Sequence, residues 1–148
     1  MHRRPPLTLA AAAVVAVTAA GCTSASGPAP RAAEPACSKA LEAAPATVLD
    51  RARTPLGVRG ALAWGDPEIV LRCGFPPLAP TTAQCVTVNE HDWVVADQDA
   101  DPLVFTSFGT DPAVEVAVPR GASSQPSGAL VDLAPVAAAL PSNGRRCS

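Results

Sequence analysis

The chain has 148 residues, a formal net charge of −2, 17 prolines, five cysteines, two Trp, three Phe and no Tyr. Nucleic-acid binding calls for a basic stripe, and a mildly acidic chain lacks one. The length suits one hydrophobic core and not two. Lys39 is the only lysine among eleven basic residues, and Ala, Pro, Val and Gly abound. This bias follows GC-rich codons, so a single Arg or Ala carries little information about chemistry.

In chain order, the first element is a basic start, Met1-His2-Arg3-Arg4, followed by an apolar run from Leu7 to Ala20. A basic head, a short apolar stretch and small residues at its end make an export signal over residues 1–21. The run is shorter than the ~20 apolar residues of a comfortable membrane span. Ala19-Ala20-Gly21-Cys22 resembles a bacterial lipobox, in which the Cys sulfur receives a diacylglycerol before cleavage. Lipidation of Cys22 would hold the protein on the outer face of the membrane without crossing it. Loss of Arg3 and Arg4 with the signal takes the charge from −2 to −4. Residues 22–35, rich in Pro, Ala and Ser, read as a tether. A single domain is expected over 36–148.

Ser38 to Ala44 reads as a short helix ended by Pro45. Val48 to Val58 fits either a helix end or an irregular edge strand. Ile69 to Cys73 alternates as a strand, with Ile69, Leu71 and Cys73 on one face. Cys85 to Val88 and Trp93 to Ala96 form a hairpin around a polar turn at Asn89–Asp92. Leu103 to Phe108 and Ala113 to Val118 form a second hairpin around Gly109–Pro112. Leu130, Leu133, Val136, Ala137 and Leu140 keep helical spacing, with Pro135 kinking or dividing the helix. Helix, antiparallel strands, helix gives an α+β fold. The expectation is a small antiparallel sheet of about four to six strands, with short N- and C-terminal helices on one face, braced by two disulfides.

The four cysteines of the domain, Cys37, Cys73, Cys85 and Cys147, are an even set in an exported chain. Three pairings are open. Closing a short Pro-rich loop through Cys73–Cys85 and tying the domain ends through Cys37–Cys147 is the preferred one. No C-x-x-C pair supports the rival zinc reading.

The segments Ala63-Trp64-Gly65-Asp66-Pro67 through Arg72-Cys73-Gly74, and Phe105 to Pro119 with its D-P-A-V-E-V run, lie behind a lipobox and between terminal cysteines. Together they resemble an actinobacterial family of small exported lipoproteins, the domain-of-unknown-function family 3515, over Cys37 to Cys147. The resemblance implies a lipid-anchored envelope protein and supplies no catalytic residue.

Candidate site residues are few. His91 is the one histidine after the signal, and Ser107 a conceivable nucleophile, but no G-x-S-x-G elbow is present. Asp97, Asp99 and Asp101 alternate like the start of a calcium loop. Pro102 and Phe108 stand where its Gly and bidentate Glu belong, so only a looser cation site remains. Trp64 and Trp93 could stack a sugar, or fill the core. Arg51, Arg53, Arg59 and Arg72 could gather into a cationic surface for lipid heads or wall polymers. Gly74 to Pro80 is a stiff Pro-rich loop able to serve as a contact surface. The residues favour a non-enzymatic envelope module that binds a membrane-protein partner or wall component, with no cofactor and no nucleic acid. The alternative is a secreted hydrolase or cation-dependent enzyme using His91 and the Asp97–Asp101 loop.

Overall fold

The computed structural model describes residues 27–66 and 68–148. The signal segment, Cys22 and the first tether residues lie outside them. The fold is α+β, with one antiparallel sheet of eight strands rather than four to six. The strands are β1 (Thr47–Val48), β2 (Arg51–Thr54), β3 (Ala61–Trp64), β4 (Ile69–Phe75), β5 (Gln84–Val88), β6 (His91–Val95), β7 (Leu103–Phe108) and β8 (Ala113–Val118). Their order is β1-β2-β3-β4-β8-β7-β6-β5, two meanders joined at the β4–β8 seam. Of the uncertain stretch Val48–Val58, Arg51–Thr54 is strand and residues 55–58 have no regular structure. β3 escaped sequence reading because Ala61 and Ala63 carry little apolar signal, although Ala63 is fully buried.

Hairpins β1–β2 and β5–β6 turn through two residues each, Leu49-Asp50 and Asn89-Glu90, all four with positive φ. Such turns match the twist of the flanking strands. The Leu49 amide, in a conformation costly for a Leu, donates to Asp132 Oδ2 at 2.8 Å. That bond fixes the edge hairpin to the helical layer.

Helices α1 (Pro35–Glu42), α2 (Gly128–Asp132) and α3 (Ala134–Ala139) form that layer. Pro35 and Pro135 sit in the first turns of α1 and α3, where a missing N–H costs nothing. Pro135 therefore divides the expected C-terminal helix at Leu133. Leu130, Leu133, Val136, Ala137 and Leu140 are all buried, as their spacing required. They pack with Trp64, Ile69, Leu71, Trp93, Phe105, Val114, Val116 and Val118 from one sheet face. Paired residues point the same way, and the register puts Leu71, Val116, Phe105 and Val95 in one row beneath the helices. None of the described helices is long and apolar enough to cross a membrane.

The disulfides are Cys37–Cys73 and Cys85–Cys147. All four cysteines are used, but the preferred pairing is corrected. Cys73 lies on the helix-covered face with Leu71, while Cys85 pairs across from Val94 on the opposite face at the sheet's far edge. No movement short of unfolding joins them. Instead α1 is bonded to β4 on one face, and the C-terminal tail to β5 on the other.

The domain also starts earlier than residue 36. Ala29 and Ala32, expected in the tether, are buried. The Arg31 amide donates to the Gly74 carbonyl at 2.8 Å. Its guanidinium pairs with Glu34 at 2.5 Å and Asp111 at 2.7 Å. Gly74 has φ +113, and a Cβ there would collide with the Arg31–Ala32 backbone. Only glycine lets that segment lie so close.

Candidate functional site

β4 ends at Phe75 beside the start of β8, and β5 begins beside the end of β6, at the other end of the sheet and with three strands between β4 and β5. Residues 76–83 must therefore cross diagonally, and the helices already occupy one face. The Pro-rich connection takes the other, as a first strap. The C-terminal tail is a second. It runs past Gly109, whose added Cβ would strike the Arg145 carbonyl. The Arg145 guanidinium donates to the Leu78 carbonyl at 2.9 Å, linking the two straps.

Asp92 anchors the tail. Its carboxylate, 4 % exposed, accepts bonds from the Thr87 hydroxyl at 2.7 Å and the Cys147 amide at 2.9 Å, and meets Arg146 Nε at 3.2 Å. Burial pushes its pKa up. The Thr87 and Cys147 hydrogen bonds and the charges of Arg146 and His91 outweigh that and hold it below the ordinary carboxylate range. Arg146 also donates to the Glu90 carbonyl at 2.8 Å.

Between the straps lies a groove of about 500 Å³. Val94, Phe108 and the Cys85–Cys147 bridge give it an apolar floor. Pro80–Ala83 form one wall and Arg145–Ser148 the other. A smaller cleft of about 170 Å³ holds His91, Glu90 and Asp92 against the end of α3, and shares Phe108, Arg145 and Arg146 with the groove.

Apart from Pro80 in the groove wall and His91 in the cleft, the sequence-derived candidates fall elsewhere. Trp64 and Trp93 are fully buried, so neither is a stacking platform. Trp64 Nε1 donates to the Pro45 carbonyl at 3.2 Å, and Arg53 lies over its ring. The arginines do not gather. Arg53 and Trp64 are register partners on the helix side, whereas Arg72 lies on the opposite face. Arg51 donates to the Asp66 and Ala122 carbonyls, and Arg53 to those of Ala44 and Pro45. Arg72 pairs with Glu115 at 3.0 Å and covers Phe75. Arg59 is exposed at the turn before β3.

Ser107 is buried, shares a 2.6 Å hydrogen bond with Thr110, and accepts from the Val114 amide at 2.9 Å. It stitches the β7–β8 turn, and its hydrogen bonds do not lead to His91. The Asp97–Asp101 loop is closed by a side chain. Arg120 donates to the Gln98 and Ala100 carbonyls, and its amide donates to Asp101 Oδ1 at 3.0 Å. Asp97 accepts from the Asp99 amide in a local turn at 2.9 Å. Among the described residues no three His, Cys, Asp or Glu side chains gather to hold a metal.

Sequence reasoning missed Thr81, Thr82, Phe108, Arg145 and Arg146 as groove residues. The one available signal was that Arg145 and Arg146 precede a cysteine, and a bridged cysteine pins its neighbours.

The two familiar segments meet at the sheet's centre. Trp64 fills the core, Cys73 bonds α1, Gly74 receives the N-terminal segment, and Asp111 and Glu115 hold Arg31 and Arg72. No curated protein and no solved structure matches the chain. A family profile matches residues 7–144, spanning both segments, and the chain belongs to the family described as "Protein of unknown function (DUF3515)".

Proposed function

We propose that this chain is an actinobacterial cell-envelope lipoprotein: an interaction module without enzymatic activity, anchored through Cys22 to the outer face of the cytoplasmic membrane. The basic start, the apolar run and Ala19-Ala20-Gly21-Cys22 support the anchor. Two disulfides fit an oxidising compartment outside the cytoplasm. The observation that carries the binding role is the groove between the straps. It is preformed by covalent and ionic ties, so a ligand entering it need not order a loop. The side chains of Ser107, Asp97 and Asp101, by contrast, are spent on structural bonds.

The anchor is tested by intact mass of the exported protein, non-reduced and alkylated. The expected result is loss of residues 1–21, added acyl mass on Cys22 and no alkylated cysteine. An unacylated chain would sink the anchor. Photo-cross-linking from position 82 in intact cells tests the module. A discrete adduct is expected there and not from exposed position 59, and equal background at both sites would sink the binding role.

A further inference from the structure

We infer that the groove between the straps docks an extended, acidic peptide segment of a partner protein. The inference rests on the interaction-module reading and names the ligand's chemistry.

The charge of the groove favours an anionic occupant. The chain as a whole is negative, yet the groove lining holds two guanidinium groups and no acidic side chain. Arg146 is matched by Asp92. Arg145 Nη1 donates to the Leu78 carbonyl, and among the described residues its guanidinium pairs with no Asp or Glu side chain. A guanidinium in that state recognises carboxylates in fork geometry.

The sheet edge favours an extended occupant. β5 is a terminal strand. Its hairpin closes through a two-residue turn, so Val88 and His91 form a hydrogen-bonded pair, as do Val86 with Trp93 and Gln84 with Val95. The backbone groups of Cys85 and Thr87 then point outward, and among the described residues nothing pairs with them. Gln84-Cys85-Val86-Thr87-Val88 carries no charge, Pro or bulge, the usual protections of an exposed edge. Ala83 and Cys85 line the groove, so its lip adjoins this edge, and an extended chain added to β5 would run along that lip. Strand addition would supply affinity. The Val94–Phe108 floor and Arg145 would select one apolar and one acidic side chain.

The test is selection of random linear peptides displayed on phage against the purified, oxidised protein, in parallel with Arg145→Glu and Arg145→Gln. Enrichment of acidic peptides on the wild type is expected. A synthetic copy should shift the amide resonances of Cys85 and Thr87, bind at least tenfold more weakly to Arg145→Glu, and less severely so to Arg145→Gln. Unchanged melting of both variants shows that binding, not folding, was lost. No enrichment, neutral or basic consensus peptides, or indifference to Arg145→Glu would overturn the inference. Binding to phosphatidylglycerol vesicles without peptide enrichment would also overturn it and assign the cationic wall to lipid. An envelope adduct from position 82 that survives Arg145→Glu would leave the module standing and reject only the acidic-peptide ligand.

Discussion

The helix-covered face and the strapped face of the sheet each carry one disulfide, in very different surroundings. Cys37 and Cys73 are fully buried among Leu71, Val114 and the residues of α1 and α3. Cys85 and Cys147 are half-exposed at a groove lip, beside a buried carboxylate and two arginines. One face is held by apolar burial, the other by point contacts that tie peripheral segments down. Folding free energy is therefore concentrated under the helices, and the strapped side is the part able to respond to a partner or to redox conditions.

Replacement of Trp93 should separate the faces most. Trp93→Ala removes a fully buried indole from the helix side and should cost about 3–5 kcal/mol in urea unfolding. Phe108→Ala, its neighbour's counterpart on the strapped side, is half-buried and should cost about 1–2 kcal/mol. Equal losses would mean that the straps enclose a second core.

The bridges sharpen the same contrast. Their sequence separations are 36 and 62 residues. Chain entropy alone makes the longer closure worth about 0.5 kcal/mol more. The opposite order is expected. Without Cys85–Cys147 the tail can fray in the folded state and recover entropy, whereas α1 cannot leave β4 without opening the core. Cys37→Ala with Cys73→Ala should cost about 3–4 kcal/mol, and Cys85→Ala with Cys147→Ala about 2 kcal/mol. Graded reduction with alkylation and mass analysis should label Cys85 and Cys147 first. Simultaneous labelling of all four cysteines would remove the distinction.

The same division explains what the sequence disclosed. Periodicity is a record of burial against one face, so β4, β7, β8 and the inner face of α2–α3 were legible from Ile69, Leu71, Val114, Val116, Leu130 and Leu133. β2 stayed ambiguous and β3 was hidden because their small and charged residues carry little apolar period, although Ala63 and Trp64 are fully buried. The groove was illegible because it arises from two irregular segments meeting over the sheet, and irregular segments have no period. The pairing of Cys73 and Cys85 misled because closeness in sequence says nothing about which face of a sheet a side chain occupies.

Asp92 offers a pH handle on the strapped side alone. Its folded-state pKa lies below that of the unfolded chain, about 4. The stabilisation is therefore present above that value and is lost as pH falls through the folded-state pKa. Asp92→Asn should cost about 1–3 kcal/mol at pH 7, flatten the acid limb below about pH 4, and speed amide exchange at Cys147. An acid limb unchanged by the substitution would assign acid lability to other carboxylates.

The smallest effect is expected at the Asp97–Asp101 loop, also outside the core. Arg120 already places a cation against the Gln98 and Ala100 carbonyls, and its amide bonds Asp101. A divalent ion would have to displace that guanidinium and then find a coordination shell that one closed turn does not provide. Millimolar calcium should leave the melting temperature of the wild type unmoved. Arg120→Ala should loosen the loop, raise amide exchange at Asp99 and Asp101, and cost about 0.5–1 kcal/mol, since the lost bonds are solvent-exposed. A calcium-dependent rise in melting temperature for the wild type would show that Arg120 yields its place to a metal, making the loop a cation site that the arginine occupies only in the metal's absence.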